Sequence, residues 1–343
     1  IDDKAVVADS HLALTGTISE IRGTDALQVR SLAVTGNASS EGDVVASQGD
    51  IAVSGNLQLV TKLVESGDPE PETLVSAHQG ALDVNGNVST SAGGRLRLEA
   101  RDVAIGGTAA DGTALAGAIT SRGDVQIGFA DAGVEQTQTV RVNSIDTRGA
   151  SGAEGGDVAV AASGDVVIGA IATGGGSAGS SSRPPLDGGS VTVRAGEAST
   201  LAIGAIATGG GIDTGNGTID LSAGTVRLEG PLDATGGSIS NADGERDRAV
   251  HVQGEILLAA NSLSIAGGDV HLDGAIAGAE VVPATDPPTT RRVDLSIAAS
   301  GETRLGSSAD LRSLSISSSG DSVVLGGDVV ADRSIEIAFE GPG

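Results

Sequence analysis

The sequence predicts an all-β protein, specifically a right-handed parallel β-helix (β-solenoid) with about 12 rungs of three short strands and loop excursions between them. An apolar phrase recurs along the chain, most clearly as V-V-I-G-A-I-A-T at 166–173 and L-A-I-G-A-I-A-T at 201–208. Gly, Ser, Thr and Asp interrupt every window long enough for an amphipathic helix, which argues against a doubly wound α/β fold. The chain also has no Trp or Tyr and only two Phe, which suits a thin aliphatic core.

The repeated phrase sets the length of one structural unit. Its copies begin at Leu12, Leu32, Ile51, Leu82, Val103, Val140, Val166, Leu201, Val226, Val270, Thr303 and Val323. The shortest intervals between starts are 19 and 20 residues, so the minimal unit is about 20 residues and longer intervals carry insertions.

Each unit holds a first strand upstream of the phrase and two more strands within it, on either side of a small-residue break. One such unit cannot bury its own apolar face, but stacked units can, each strand pairing with its equivalent one rung away. The third strands then align one inward column, which we predict to contain Ile119, Ile145, Ile171, Ile206, Leu232 and Ile276.

Gly-Asp followed by Val or Ile marks the predicted corners, at 42–44, 49–51, 123–125, 156–158, 164–166, 268–270 and 327–329. We expect each Gly to supply a positive φ, and each Asp to bind nearby backbone amides. Three sequences match glycosylation acceptors, and polar corners are the favoured interpretation of all three; they begin at Asn37, Asn87 and Asn216.

Five longer excursions follow a predicted third strand and precede the next first strand: 60–72, 148–156, 175–189, 238–252 and 278–292. They should therefore leave one corner and line one edge, whereas 106–116 and 131–139 leave other corners. Loops on a rigid scaffold are where binding is expected, although insertions that the fold tolerates without any function account for them equally well. The repeat runs through residues 1–343 as a single domain without evident caps, so we expect a segment of a longer rod or ends that contact something.

Charge and composition exclude several classes of function. The net charge of −25 argues against nucleic-acid binding. The absence of Cys excludes disulfides. No stretch of about 18 apolar residues is present, so no membrane span is predicted.

The only candidate recognition site in the sequence is Arg122-Gly123-Asp124, an integrin-type tripeptide that also coincides with a recurring Gly-Asp-Val corner. No catalytic, metal-binding or cofactor-binding residue is predicted. The four histidines show no metal or catalytic spacing, and His271 should face solvent because it alternates with inward Val270 and Leu272. The full calcium-binding G-G-x-G-x-D pattern does not occur.

The repeat length, the L-A-V-T-G-N and I-A-V-S-G-N phrases and the Gly-Asp corners resemble the repetitive shaft of filamentous haemagglutinin-like exoproteins, the passengers of two-partner secretion. The family's amino-terminal secretion domain is not recognisable, and the irregular excursions depart from its regular shaft.

This resemblance implies a non-enzymatic structural or adhesive rod, secreted or displayed on the surface of a Gram-negative-type bacterium after export through an outer-membrane transporter. Its partners would be a host cell, a neighbouring cell, the matrix or another copy joined end to end. The alternative is a carbohydrate-active β-helix enzyme, a polysaccharide lyase or hydrolase, which a groove with clustered Asp, Glu and Arg would favour.

Overall fold

The computed structural model describes residues 7–21, 27–60, 71–91, 93–106, 117–128, 137–150, 153–176, 187–208, 217–234, 249–278, 280–281, 289–290, 292–320 and 322–339. Within these ranges the regular elements are all β-strands, as predicted. The chain divides into two compact units, one formed by Ile1–Arg148 with Gly156–Ile168 and the other by Gly149–Gly155 with Gly169–Gly343.

The strands of the first unit are β1 (Val7–Ile21), β2 (Leu27–Ser40), β3 (Val44–Ala46), β4 (Ile51–Val53), β5 (Leu57–Leu59), β6 (Glu72–Val84), β7 (Val88–Thr90), β8 (Arg95–Ile105), β9 (Ala118–Thr120), β10 (Val125–Ile127), β11 (Thr139–Asp146) and β12 (Val158–Ala161). The division between the units falls within β13 (Val166–Ala172).

The strands of the second unit are β14 (Val191–Arg194), β15 (Thr200–Ala207), β16 (Ile219–Leu228), β17 (Leu232–Asp233), β18 (Val250–Leu258), β19 (Ser262–Gly267), β20 (Val270–Asp273), β21 (Ile276–Gly278), β22 (Glu280–Val281), β23 (Thr289–Thr290), β24 (Val293–Ala299), β25 (Thr303–Leu305), β26 (Ser308–Ser318), β27 (Val323–Leu325) and β28 (Val329–Phe339). Of the pairings described, only that of β22 with β23 is antiparallel.

Parallel pairing in the first unit stacks the predicted phrases on one another. The second-strand column contains Leu12, Leu32, Ile51, Leu82, Val103 and Val140. The third-strand column contains Ala38, Leu57, Val88, Ile119 and Ile145. The three strands of a coil are separate in β3, β4 and β5, but a coil can also continue through a corner, as β6 does with a register shift between Ala77 and Ala81.

The second unit stacks in the same way, with one change in register assignment. Its second-strand column contains Leu201, Val226, Ile256, Ile276 and Ser308. Its third-strand column contains Ile206, Leu232, Ile265, Ile297, Ile316 and Ile337. The first-strand column contains Val191, Ile219, Val250, Val270, Thr303 and Val323.

The prediction that Ile276 belongs to the third-strand column is therefore wrong, and Ile265 takes that place. For the same reason the phrases beginning at Val270, Thr303 and Val323 start in first strands, not second strands. In these coils the first and second strands are separated by only a few small residues, just as the second and third strands are within the phrase. The apolar alternation therefore matches either pair of strands equally well.

The core is one aliphatic layer inside each stack. Inward side chains such as Ile51, Leu98, Ile203 and Leu258 are at most 1% exposed. Burial of one such side chain contributes about 1.5–3 kcal/mol, and every coil supplies several. Aliphatic columns therefore stabilise the fold without the broad aromatic core that a globular domain of this length would use.

Corner carboxylates and amides bind the next coil. Asp50 Oδ1 accepts a hydrogen bond from the backbone N–H of Ala81 at 2.8 Å, one coil further on. The same contact joins Asp43 to Leu74, Asp124 to Asp157 and Asp269 to Glu302. Successive Asn side chains form a similar ladder, in which the Oδ1 atoms of Asn37, Asn56 and Asn87 accept hydrogen bonds from the backbone N–H groups of Asn56, Asn87 and Ala118, respectively. Asn37 and Asn87 thus lie in polar corners, as expected, while Asn216 lies outside the described residues.

The corner glycines are needed for close approach more than for positive φ. Among the Gly-Asp corners, Gly42 has a positive φ of 125°, but Gly123 does not belong to the positive-φ set. A Cβ on Gly123 would instead overlap the backbone of Gly94 in the preceding coil, and one on Gly156 would overlap Gly123. The φ argument from the sequence is therefore wrong for most of these corners, which are glycine because the coils stack there at backbone distance.

Candidate functional site

The strands that flank the excursions show which corner each one leaves. Excursions 60–72, 148–156 and 175–189 each follow a third strand and lead to a first strand, as predicted. Excursion 238–252 leaves the same corner, but its predicted end is wrong, because residues 250–252 already belong to β18 in the first-strand column. The prediction is wrong for 278–292, which lies between β21 of the second-strand column and β24 of the third-strand column. The misassigned column of Ile276 is the cause of this error.

Three buried threonines close the bases of excursions at the predicted corner. Thr147 Oγ1 donates to the carbonyl oxygen of Gly156 at 2.6 Å, nine positions away. Thr208 Oγ1 donates to the carbonyl oxygen of Gly217 at 2.8 Å, again nine positions away. Thr173 Oγ1 makes the same bond to Gly189 across 16 positions. All three threonines are 0% exposed, so each excursion leaves and returns through a buried hydrogen-bonded neck.

Backbone hydrogen bonds double two of these necks. Gly156 N–H donates to the Thr147 carbonyl at 2.9 Å, and Gly189 N–H donates to the Thr173 carbonyl at 2.8 Å. A neck of this kind holds the two ends of an excursion together whatever its length. The same Thr-to-Gly hydrogen bond forms when the two residues are nine positions apart and when they are 16 positions apart. We call the Thr147–Gly156, Thr173–Gly189 and Thr208–Gly217 pairs the Thr–Gly necks.

The Thr–Gly necks were not predicted, although their signal is in the sequence. Thr173 and Thr208 are the last residues of the two near-identical phrases, and Thr147 ends the I-D-T of the preceding one. A Thr at a strand end is usual for β-structure, so its position alone did not indicate a role. The recurrence of Thr two residues after the inward Ile of the third strand, at 147, 173 and 208, would have indicated one.

An ion pair fixes the first residue of the 148–156 excursion. Arg148 Nε donates to Asp146 Oδ1 at 2.9 Å, and Arg148 Nη2 donates to Asp146 Oδ2 at 2.6 Å. The hydrogen bond from the Arg148 side chain lowers the pKa of Asp146 below its ordinary value, against the opposing effect of partial burial. The pair thus adds a bidentate contact beside the Thr147 neck.

The Arg122-Gly123-Asp124 tripeptide occupies a corner between coils. Arg122 is exposed. Asp124 Oδ1 accepts the N–H of Asp157 at 2.9 Å, while its Oδ2 lies 3.8 Å from Arg95 Nη2. Both carboxylate oxygens of Asp124 are therefore directed at neighbouring coils.

Acidic and basic side chains cluster on the outer face of the first strands. Glu72 Oε1 lies 3.7 Å from Arg97 Nη1, and Glu72 Oε2 lies 3.9 Å from Arg95 Nη1. Arg97 also contacts Glu99, whose side chain is 7% exposed. Glu72 faces the two arginines from an adjacent strand, an arrangement typical of cross-strand pairing, whereas Glu99 lies on the same strand as Arg97.

Two clefts lie on the outer face of the second strands in the first unit. One, of about 220 Å³, lies over Ala33, Ala52 and Asp83. The other, of about 250 Å³, is lined by Ala104, Arg141 and Val167 together with Asp102, Thr139 and Asp165.

In the larger cleft Asp102 already has partners for both carboxylate oxygens. Thr139 Oγ1 donates to Asp102 Oδ1 at 2.7 Å, and Arg101 Nε donates to Asp102 Oδ2 at 3.0 Å.

Stacking brings together two histidines that the sequence did not pair. His251 and His271 are Cα partners on β18 and β20, with ring centroids 4.8 Å apart and ring planes inclined by 7°. His271 lies on the outer side of β20, but the expectation that it faces solvent is only partly met, because its side chain is 19% exposed beside the His251 ring. Its Nε2 lies 3.7 Å from Glu302 Oε2. The side chains in the described part of the chain form no group of three His, Asp or Glu suited to a metal ion.

Comparison with protein-family models, with curated proteins and with solved structures finds no match to this chain. In the described ranges no helix has the length and apolar character that a membrane crossing requires. The functional interpretation therefore rests on the geometry of the corners and of the Thr–Gly necks.

Proposed function

We propose that this chain is the β-helical shaft of a secreted or surface-displayed bacterial exoprotein of the filamentous haemagglutinin-like type, with a structural or adhesive role. In this proposal the coil stack is the support, and the excursions at the third-to-first corner contact the partner. The partner is a host cell, a neighbouring bacterial cell or the extracellular matrix. Export through an outer-membrane transporter and a Gram-negative-type source follow from the resemblance of the repeats.

The Thr–Gly necks are the observation that carries the proposal. They separate a rigid interior from excursions of different length and composition, which is how a binding surface is built on a scaffold. The excursion after Thr173 is Ser- and Pro-rich, whereas the one after Thr208 is Gly-rich. The same type of neck therefore closes excursions of different chemical composition.

A chimera that uses the protein's own short excursion tests this role. Residues 174–188 are replaced by residues 209–216, so that the Thr173–Gly189 neck closes over a sequence that the Thr208–Gly217 neck already tolerates. Binding of the fluorescently labelled protein is measured on cultured epithelial cells, on bacterial cells and on matrix-coated plates. We expect the chimera to keep its circular dichroism and melting temperature and to lose binding.

A matched control grafts residues 148–155 in place of 209–216, because both necks span nine positions. This control leaves the Ser- and Pro-rich excursion in place and should bind as the parent protein does. Equal binding by the first chimera and the parent would contradict a role for the 175–189 excursion in binding. We expect an Arg122→Ala variant to bind as the parent does, which would show that the excursion, and not the Arg122-Gly123-Asp124 tripeptide, is responsible for binding.

The carbohydrate-active enzyme remains a second candidate because the larger cleft brings Asp102, Asp165 and Arg141 together. The hydrogen bonds to both oxygens of Asp102 favour a structural role for that carboxylate. Incubation with acidic polysaccharides, followed by chromatography of the products, distinguishes the two. Product release that is lost in an Asp165→Asn variant would establish the enzyme and overturn the structural proposal.

A further inference from the structure

Two imidazole rings lie face to face between adjacent coils of the second unit. His251 of β18 and His271 of β20 are Cα partners, with ring centroids 4.8 Å apart and ring planes inclined by 7°. The residues on either side of each histidine are 0% exposed in the core, namely Val250, Val252, Val270 and Leu272. Strand pairing therefore holds the two rings against each other on the outer face.

One of the two rings has a carboxylate beside it. His271 Nε2 is buried and has no hydrogen-bond partner among the described residues, and Glu302 Oε2 lies 3.7 Å away. The other oxygen of Glu302, Oε1, lies 3.4 Å from Nη2 of Arg304, which is the Cα partner of His271 in the next coil. A proton on His271 is thus offset by Glu302, which also faces one arginine.

The carboxylate in register with the other ring is already engaged. Asp220 of β16 is the Cα partner of His251, and its Oδ2 lies 3.5 Å from Arg194 Nη2 of β14. Among the ion pairs of the described residues, only that of His271 with Glu302 includes either ring. A proton on His251 therefore lies against the partner ring without a carboxylate of its own.

Carboxylates outnumber arginines on the strands that pack around the two rings, which favours a first proton on the pair. The charged residues on the outer face of these strands are Arg194, Asp220, Glu255, Asp269, Asp273, Glu302 and Arg304. Asp269 and Asp273 lie two residues along the strand from His271, which is about 7 Å. A second ring charge at 4.8 Å is closer than either, so repulsion between the rings opposes the second proton.

We propose that the His251–His271 pair is a proton-sensitive contact between these two coils, which stays stacked when neutral or singly protonated and loosens when both rings are protonated. Imidazole gains its charge between about pH 8 and about pH 5, so the contact responds to mild acidification. β18 is the strand into which the excursion predicted at 238–252 returns, so the loosening acts beside the end of that excursion. This device is independent of what the excursions bind, and it goes beyond the function proposed above.

Hydrogen exchange of the Val250 amide, followed by NMR, tests the proposal on the full chain. Val250 N–H donates to the Asp269 carbonyl at 2.8 Å, so its protection reports the pairing of the two coils beside the rings. Protection relative to the unstructured rate should fall about fourfold or more from about pH 8 to about pH 5. A factor of about four corresponds to two unit charges 4.8 Å apart in water.

His251→Gln and, separately, His271→Gln remove one of the two charges and keep a polar side chain on the outer face. In either variant the remaining ring should titrate in one step, and the protection of Val250 should stay constant over this range of pH. In the parent protein the two rings should titrate in coupled steps, with the second proton bound at lower pH than the single proton of either variant.

His78→Gln is the matched control, because His78 lies on β6 in the first unit, away from the pair. It should keep the full pH response of Val250. Circular dichroism at about pH 8 establishes that each variant is folded before its response is compared.

Three results would overturn the proposal: protection of Val250 that does not fall in the parent, an equal fall in His251→Gln, or two rings that titrate independently. None of these measurements uses a binding partner. Failure of the proton-sensitive contact and failure of the proposed function are therefore separate outcomes.

Discussion

Replacement of Thr208 by Val removes one hydroxyl from the neck and keeps the branched shape of the side chain. The hydroxyl donates to the Gly217 carbonyl at 2.8 Å in a site that is 0% exposed. The backbone bond from Thr208 N–H to the Asp233 carbonyl stays in place. Loss of a hydrogen bond that leaves a buried acceptor unpaired costs about 1–3 kcal/mol, whereas the net worth of a typical hydrogen bond is about 0.5–1.5 kcal/mol.

Because the contact closes a local excursion, its loss should lower the free energy of local opening at the neck more than the free energy of global unfolding. Hydrogen exchange followed by mass spectrometry measures it in the peptide that covers 208–219. A cost of about 1–3 kcal/mol corresponds to exchange that is about 5- to 150-fold faster there. Peptides from the interior of β15 and β16 should be protected as before.

Thr192→Val is the control for this substitution. Thr192 lies on the outer side of β14 between buried Val191 and Val193, so its hydroxyl closes no neck. Its effect should lie within about 0.5 kcal/mol of zero. Equal exchange changes in the two variants, or an increase spread evenly over the second unit, would refute the role of the neck.

Three further predictions concern the core, a corner and the ion pair. Ile206→Ala should lower the free energy of unfolding by about 2–5 kcal/mol in urea denaturation, because Ile206 is 1% exposed in the third-strand column; an effect below that of an exposed site would contradict its inward position. Gly123→Ala should lower the melting temperature, since its Cβ would overlap the Gly94 backbone, whereas Gly93→Ala meets its nearest atom at 3.9 Å and should be tolerated; equal melting temperatures would contradict the stacked corner. Arg148→Gln should raise the pKa of Asp146 towards the ordinary 3.8, as followed by NMR titration. Because the folded pKa is the lower one, the stabilisation by this pair is present above the unfolded pKa and is lost as the pH falls through the folded pKa; a pH dependence of the opposite sign would contradict the pair.

Much of the fold was predictable because period-two burial and the repeat are properties of the sequence itself. Ile119, Ile145, Ile206 and Leu232 lie in the third-strand columns as predicted. Ile276 does not, because a short small-residue break separates the first from the second strand in its coil as well. Alternation specifies which residues face inward, but it does not specify which corner a break represents.

The contacts between coils could not be predicted from local patterns. His251 and His271 are 20 positions apart and meet only because that separation equals one coil at this place in the stack. The glycine at 123 satisfies a distance constraint set by the coil before it, which the sequence around it does not display. Such contacts depend on the length of every intervening excursion.

The coil-on-coil register is the central claim, and engineered cysteine pairs test it most directly, since the chain has no native Cys. The pairs Gln126→Cys with Ala159→Cys and Ala202→Cys with Arg227→Cys place thiols on Cα partners in adjacent coils. Strands about 4.8 Å apart lie within the range a disulfide can bridge, whereas Gln126→Cys with Ala161→Cys, two residues out of register, lies at about 8 Å and does not. The stacking described here predicts rapid oxidation of both registered pairs, measured by the loss of free thiol and by mass spectrometry. Failure of the registered pairs, or equal oxidation of the out-of-register pair, would contradict it.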